Sequence, residues 1–172
     1  MKRVLLTGMS GTGKSTLIDA LAARGYRAVD ADTDEWSEWV RVAGGADPFD
    51  VTADPDSIWR THDWMWREDR IHRLLSTEDT DLLFVSGTAP NQGTFHARFD
   101  HIVLLTAPAG VLVERLSTRT NNQYGKRPDE LARVLHHLRT VEPLLRRAAS
   151  LEVDTSAPLD RVMETILDAV RS

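Results

Sequence analysis

A chain of 172 residues has the length of one domain and can bury a sizeable core without disulfides or metal staples. It contains no cysteine, which excludes a disulfide framework, a thiolate metal site and a cysteine nucleophile, and which fits a reducing cytoplasm. A formal charge of −5 argues against a general nucleic-acid-binding surface, and no apolar run approaches a membrane span or a secretory leader, so a soluble cytoplasmic protein is expected.

Val4-Leu5-Leu6 is a short apolar run that ends in a glycine-rich loop. Residues 14–24 then carry Leu17, Ile18, Leu21 and Ala22 on one helical face, Gly25 stops the helix, and residues 26–30 read as a second strand running into Asp32 and Asp34. Residues 35–75 break the rhythm. They hold all the tryptophans, Trp36, Trp39, Trp59, Trp64 and Trp66, around a Gly-, Ala-, Asp- and Pro-rich loop at 44–56, and are expected to form a helical substrate-binding segment. Leu82-Leu83-Phe84-Val85 and Ile102-Val103-Leu104-Leu105 read as parallel strands buried on both faces. Helical patterns follow at 110–118, 129–149 and 158–170, with a last strand near Leu151-Glu152-Val153. The expected fold is a single α/β domain over residues 1–172, a three-layer α/β/α sandwich around a five-stranded parallel sheet.

Gly8-Met9-Ser10-Gly11-Thr12-Gly13-Lys14-Ser15 has the full G-x-x-x-x-G-K-[ST] spacing between a strand and a helix. Such a loop turns successive backbone N–H groups toward phosphate oxygens, and the following helix adds its positive end. Lys14 is expected at the β- and γ-phosphates of ATP and the Ser15 hydroxyl on magnesium. The bland alternative is a glycine turn that merely joins a strand to a helix.

Asp32 and Asp34 lie beyond the second strand, where the ligand crevice of a doubly wound sheet opens. Two carboxylates spaced i, i+2 can divide the work, one supporting magnesium and one taking the proton of an attacking hydroxyl. The competing explanation is helix capping by Asp32 or Thr33 at a helix beginning near Asp34.

With these motifs in view, the chain resembles the shikimate kinases and their relatives among small-molecule and nucleoside monophosphate kinases. The likeness runs through Gly11-Thr12-Gly13-Lys14-Ser15-Thr16, Asp32-Thr33-Asp34 with Glu38, and Ser86-Gly87-Thr88. It continues in Val113-Glu114-Arg115, Lys126-Arg127-Pro128, Pro143-Leu144-Leu145 and Val153-Asp154-Thr155. The resemblance implies a P-loop kinase fold with a lid at 118–129. It implies ATP held by Gly8, Ser10, the 11–16 run and Arg115 packed on adenine, and magnesium supported by Ser15 and Asp32. It further implies an acceptor hydroxyl at Asp34, with Gly87 and Thr88 around the acceptor, Arg67 as the match to an acid-binding arginine in a register that Arg60, Arg70 and Arg73 also approach, and Arg127 on the transferring phosphate. Two departures stand out. The glycine triplet of that family is Ser86-Gly87-Thr88 here, and the position of its second carboxylate-binding arginine is Val141. Both argue against shikimate as the acceptor.

A basic loop that closes would exclude water and place charge on the phosphoryl oxygens. Arg119, Lys126 and Arg127 flank Gly125, and Asn121, Asn122 and Tyr124 add hydrogen-bonding groups; the alternative is a polar surface turn before a helix with Pro128 at its first position. On a helix Trp36 and Trp39 would share a face while Trp64 and Trp66 diverge, so the rings divide between the core and an acceptor wall suited to an aromatic or heterocyclic molecule. His62, His72, His136 and His137 form no metal triad in sequence. The expected activity is ATP-dependent phosphorylation of a small-molecule hydroxyl, with Lys14, Asp34 and Arg127 catalytic. A nucleoside or nucleotide kinase, or a nucleotide-dependent switch without a small-molecule acceptor, are the alternatives.

Overall fold

In the computed structural model, which describes residues 1–42, 58 and 61–172, strand β1 (Lys2–Thr7) lies at the centre of the sheet. Alternate residues of a strand point to opposite faces, so an unbroken apolar run is stable only if both faces are covered. Val4 and Leu6 pack with Leu17, Ile18 and Leu21 of α1 (Lys14–Ala23) and with Val162, Ile166 and Val170 of α6 (Leu159–Arg171). Leu5 faces the other way, toward Ile71, Leu74 and Leu75 of α2 (Glu68–Leu75) and toward Phe95 of a 3-10 helix at Gln92–Arg98. Phe84 and Val85 of β5 (Leu82–Ser86) divide between the two faces in the same way.

Five parallel strands complete the sheet in the order β2 (Arg27–Asp30), β5, β1, β6 (His101–Thr106), β7 (Leu151–Asp154). The expected three-layer sandwich is therefore present. Strand order reverses direction at β1, and the loops after β1, β2 and β5 open side by side beyond the carboxyl edge.

Two expectations are corrected. Of the segment 35–75, only α2 is α-helical among the described residues; β3 (Ser37–Arg41) and β4 (His62–Trp66) form a separate two-stranded antiparallel sheet. Cross-strand pairing places Trp39 opposite Trp64, with ring centroids 5.0 Å apart, while Trp66 is buried against Phe95. Strand geometry thus resolves the tryptophan spacing that a helical period could not. No helix begins at Asp34 either: residues 31–36 form turns that lead into β3. Trp59, Arg60 and the loop at 44–56 lie outside the described residues.

The second correction concerns the long helix expected at 129–149, which is two helices, α4 (Pro128–Thr140) and α5 (Glu142–Ala148), meeting at Val141. Pro143 explains the break. It has no N–H to donate and its ring crowds the preceding turn, so it is tolerated only in the first turn of a new helix. Before them, α3 (Ala109–Thr118) brings Leu112 and Leu116 beside Gly11 of the phosphate loop.

Candidate active site

The phosphate loop leaves β1 at Gly8, where a Cβ would stand 2.4 Å from the Leu105 carbonyl oxygen of β6. Glycine alone lets the loop lie that close to the neighbouring strand. The Lys14 ammonium folds back across the loop and donates to the carbonyl oxygens of Gly8 at 2.7 Å and Met9 at 3.1 Å. Burial lowers its pKa, the Asp32 and Asp30 carboxylates oppose that shift, and the Arg119 guanidinium adds to it.

Three carboxylates at alternate positions begin at the end of β2, and each meets different surroundings. Asp30, the last residue of β2, is in register with Ser86 and accepts a 2.8 Å hydrogen bond from the Ser15 hydroxyl. Asp32 is half-buried: its carboxylate accepts the Thr88 N–H, 3.2 Å from either oxygen, and the Trp66 indole N–H at 3.4 Å. Burial pushes its pKa up to about 6, against the pull of Lys14 and with a further push from Asp30. Asp34 is exposed, and its carbonyl oxygen accepts from Arg67 Nε at 3.3 Å.

Thr88 ties these parts together. Its hydroxyl accepts from the Gly8 N–H at 3.2 Å and donates to the Gly8 carbonyl at 2.6 Å, so the loop after β5 clasps the phosphate loop while its amide holds Asp32. Gly87 is needed beside it because a Cβ there would meet Asp32 Oδ1 at 2.8 Å and the Trp66 ring at 3.0 Å.

Two cavities open on either side of this arrangement. One, of about 630 Å³, is lined by Gly11 to Leu17, Asp30, Arg115 and Arg119. The other, of about 1240 Å³, is lined by Asp34, Trp39, Trp64, Arg67, Thr88 and residues of α4 and α5. Ser10, Lys14, Asp32 and Asn122 line both. The acids at 30, 32 and 34 thus lie on the first cavity, at the junction, and on the second cavity in turn.

A family model described as an AAA domain matches residues 4–136, well over half of the chain. The chain belongs to that family. Solved structures with the same fold include shikimate kinase from Acinetobacter baumannii in complex with shikimate, with a TM-score of 0.65, 21% identity and 99% of this chain and 93% of that chain covered. Shikimate kinase from Bacteroides thetaiotaomicron aligns with a TM-score of 0.60 and 18% identity over 99% of both chains. Deoxyadenosine kinase from M. mycoides with bound dATP aligns with a TM-score of 0.55 and 13% identity over 99% of this chain and 100% of that one. These likenesses show the P-loop kinase fold of this AAA-domain chain. No curated protein sequence matches it.

The remaining expected site residues fall into distinct places. Arg115 spans the first cavity, donating to the Gly11 carbonyl at 3.2 Å and to the Thr155 hydroxyl and carbonyl at 3.0 and 2.6 Å. Thr16 lines the same cavity. Arg67 on the second cavity pairs with Glu38 at 2.8 Å. Arg127 lines neither cavity; it is exposed and pairs with Asp129 at 3.3 Å at the start of α4. The loop's other arginine, Arg119, lines the first cavity, donates to the carbonyls of Asn122 and Tyr124, and is desolvated enough to lower its pKa. No helix among the described residues is long and apolar enough to cross a membrane.

Sequence reasoning passed over Asp30, although the Asp30-Ala31-Asp32-Thr33-Asp34 alternation contains it. It also passed over Arg133, which is buried in the second cavity and donates to the Tyr124 hydroxyl at 3.4 Å. On the helical pattern Arg133 looks like one more polar residue of α4, and no local signal marks it.

Proposed function

We propose that the chain is an ATP-dependent phosphotransferase that moves the γ-phosphoryl group of ATP to a hydroxyl of a small molecule. The junction carries this reading: Lys14 and Asp32 line the cavity behind the phosphate loop and the larger one beside it. A nucleotide seated on the 11–16 run, with its base toward Arg115, would end its phosphate chain at Lys14. An acceptor in the larger cavity would then meet it at Asp32.

In that arrangement the acceptor oxygen attacks the γ-phosphorus, the bond to the β-phosphate oxygen breaks, and ADP leaves. Asp32 takes the hydroxyl proton. A carboxylate with a pKa of about 6 is ionised at neutral pH and still basic enough to accept it. Lys14 follows the charge that moves onto the bridging oxygen, and Arg119 supports the equatorial oxygens from the lid. Asp34, on the acceptor side alone, orients the acceptor. These assignments move the base from Asp34 to Asp32 and the lid arginine from Arg127 to Arg119.

Magnesium prefers hard oxygen donors, commonly one or two carboxylates together with substrate phosphates. The Ser15 hydroxyl and Asp30 carboxylate, 2.8 Å apart, supply such donors on the phosphate side, which moves magnesium support from Asp32 to Asp30 and leaves Asp32 free to act as the base. When bound there, magnesium would neutralise charge on the phosphate oxygens.

The test is ADP release from ATP with and without a broad panel of hydroxyl compounds. At least one compound should raise the rate many-fold. Slow hydrolysis indifferent to every compound, together with a partner whose affinity follows the bound nucleotide, would replace this reading with that of a switch.

A further inference from the structure

The larger cavity has walls of a particular chemistry. Its volume of about 1240 Å³ exceeds the roughly 300–1,000 Å³ of ordinary ligand clefts. Trp39 and Leu144, two of the few large apolar side chains exposed among the described residues, both line it. Trp64, against the Trp39 ring, and Val141 and Leu145, beside Leu144, line it too. Apolar surface kept open in a cleft is matched by apolar surface on a ligand.

The charges in the acceptor half point the same way. Apart from Lys14 and Asp32 at the junction, its described lining holds three carboxylates, Asp34, Glu38 and Asp63, against two guanidiniums, Arg67 and Arg133, with three imidazoles, His96, His136 and His137. Arg67 is engaged: Nη1 donates to Glu38 at 2.8 Å and Nε to the carbonyls of Ser37 at 3.2 Å and Asp34 at 3.3 Å. Burial holds the His96 pKa below its usual range, which favours the neutral ring. A carboxylate or phosphate taken out of water needs an uncompensated positive partner. The described walls supply carboxylates in excess.

We infer that the acceptor is a ring-bearing alcohol with no anionic group, its ring against the Trp39–Trp64 wall, and that the Glu38–Arg67 pair excludes acidic analogues. The inference rests on the phosphotransferase reading for the hydroxyl and on the cavity for the rest.

Two probe pairs separate the possibilities: tryptophol against indole-3-lactate, which keeps the hydroxyl and adds a carboxylate, and 2-phenylethanol against 3-phenyllactate, which differ in the same way. Binding to the full chain with ADP present is measured by calorimetry, and ADP release is measured with ATP. The uncharged member of each pair should bind at least about tenfold more tightly than its acidic partner. Glu38→Gln should narrow that gap several-fold by releasing Arg67, and should do so through tighter binding of the acid. Equal or tighter binding of the acids by the unaltered chain overturns the inference, as does failure of all four probes to bind at millimolar concentration. If the uncharged members bind with the expected preference but release no ADP, the assignment of the cavity stands and the phosphotransferase reading falls.

Discussion

Both carboxylate oxygens of Asp32 lie 3.2 Å from the amide nitrogen of Thr88, whose hydroxyl in turn clasps Gly8 of the phosphate loop. One residue of the loop after β5 therefore fixes the spacing between the phosphate loop and the carboxylate at the junction of the two cavities. Asp32→Asn keeps the shape but cannot take a proton, and should lower kcat by about 10²–10⁴-fold. Asp34→Asn should act mainly on KM for the acceptor. Steady-state kinetics on the two variants check the assignment, and a larger kcat loss in Asp34→Asn would return the base to that residue.

The pH dependence follows from the same carboxylate. With a pKa of about 6, Asp32 should give kcat/KM a rising limb near pH 6 and a plateau above it. Trp66→Phe keeps the ring but removes the N–H that stabilises the ionised form, so the limb should move to higher pH. A limb that stays in place would show that the indole does not act on this group.

Stability carries the opposite sign. The folded value of about 6 lies above the ordinary 3.8, so the folded protein holds this proton more tightly than the unfolded chain. The stabilisation is complete below 3.8 and is lost as pH rises to about 6. Asp32→Asn removes that loss and should raise stability at pH 7 by about 1–2 kcal/mol, with solvent in the open cavity screening part of the effect. Denaturant unfolding at pH 4 and pH 7 reads the difference.

Gly87→Ala should destabilise the fold by about 1–3 kcal/mol and lower activity, since the new methyl would press on Asp32 and on a buried indole that cannot turn away. Chemical denaturation beside an activity assay checks both effects.

Arg119→Ala should cut kcat by about 10²-fold or more if that guanidinium supports the transferring group. Arg127→Ala should change kcat less than about fivefold, because it loses only an exposed ion pair. The reverse order would restore Arg127 as the lid arginine.

How much of this was legible in the sequence depends on how local each feature is. The phosphate loop was, because its chemistry is contained in one run from Gly8 to Ser15. The sheet was too, since runs such as Leu82-Leu83-Phe84-Val85 cannot be covered on one face alone. The proposed division of labour among Asp30, Asp32 and Asp34 was not. It depends on Asp30 lying in register with Ser86 while Asp32 reaches the Thr88 amide, and both contacts join segments more than 50 positions apart. The strands β3 and β4 were obscured for a related reason: Trp39 and Trp64 meet across a long connection, with no two-residue turn to announce a hairpin. Arg119 and Arg127 bracket the same polar loop, and only the end of α3 decides which one faces the phosphate side.

The most direct measurement is phosphorus NMR of the products formed from ATP with 2-phenylethanol or tryptophol, by the unaltered chain and by Asp32→Asn. The unaltered chain should yield ADP and a new phosphomonoester in equal amounts, and Asp32→Asn should yield at most a trace of that ester. Inorganic phosphate as the sole product beside ADP, or an ester signal undiminished in Asp32→Asn, would contradict phosphoryl transfer at the Lys14–Asp32 junction.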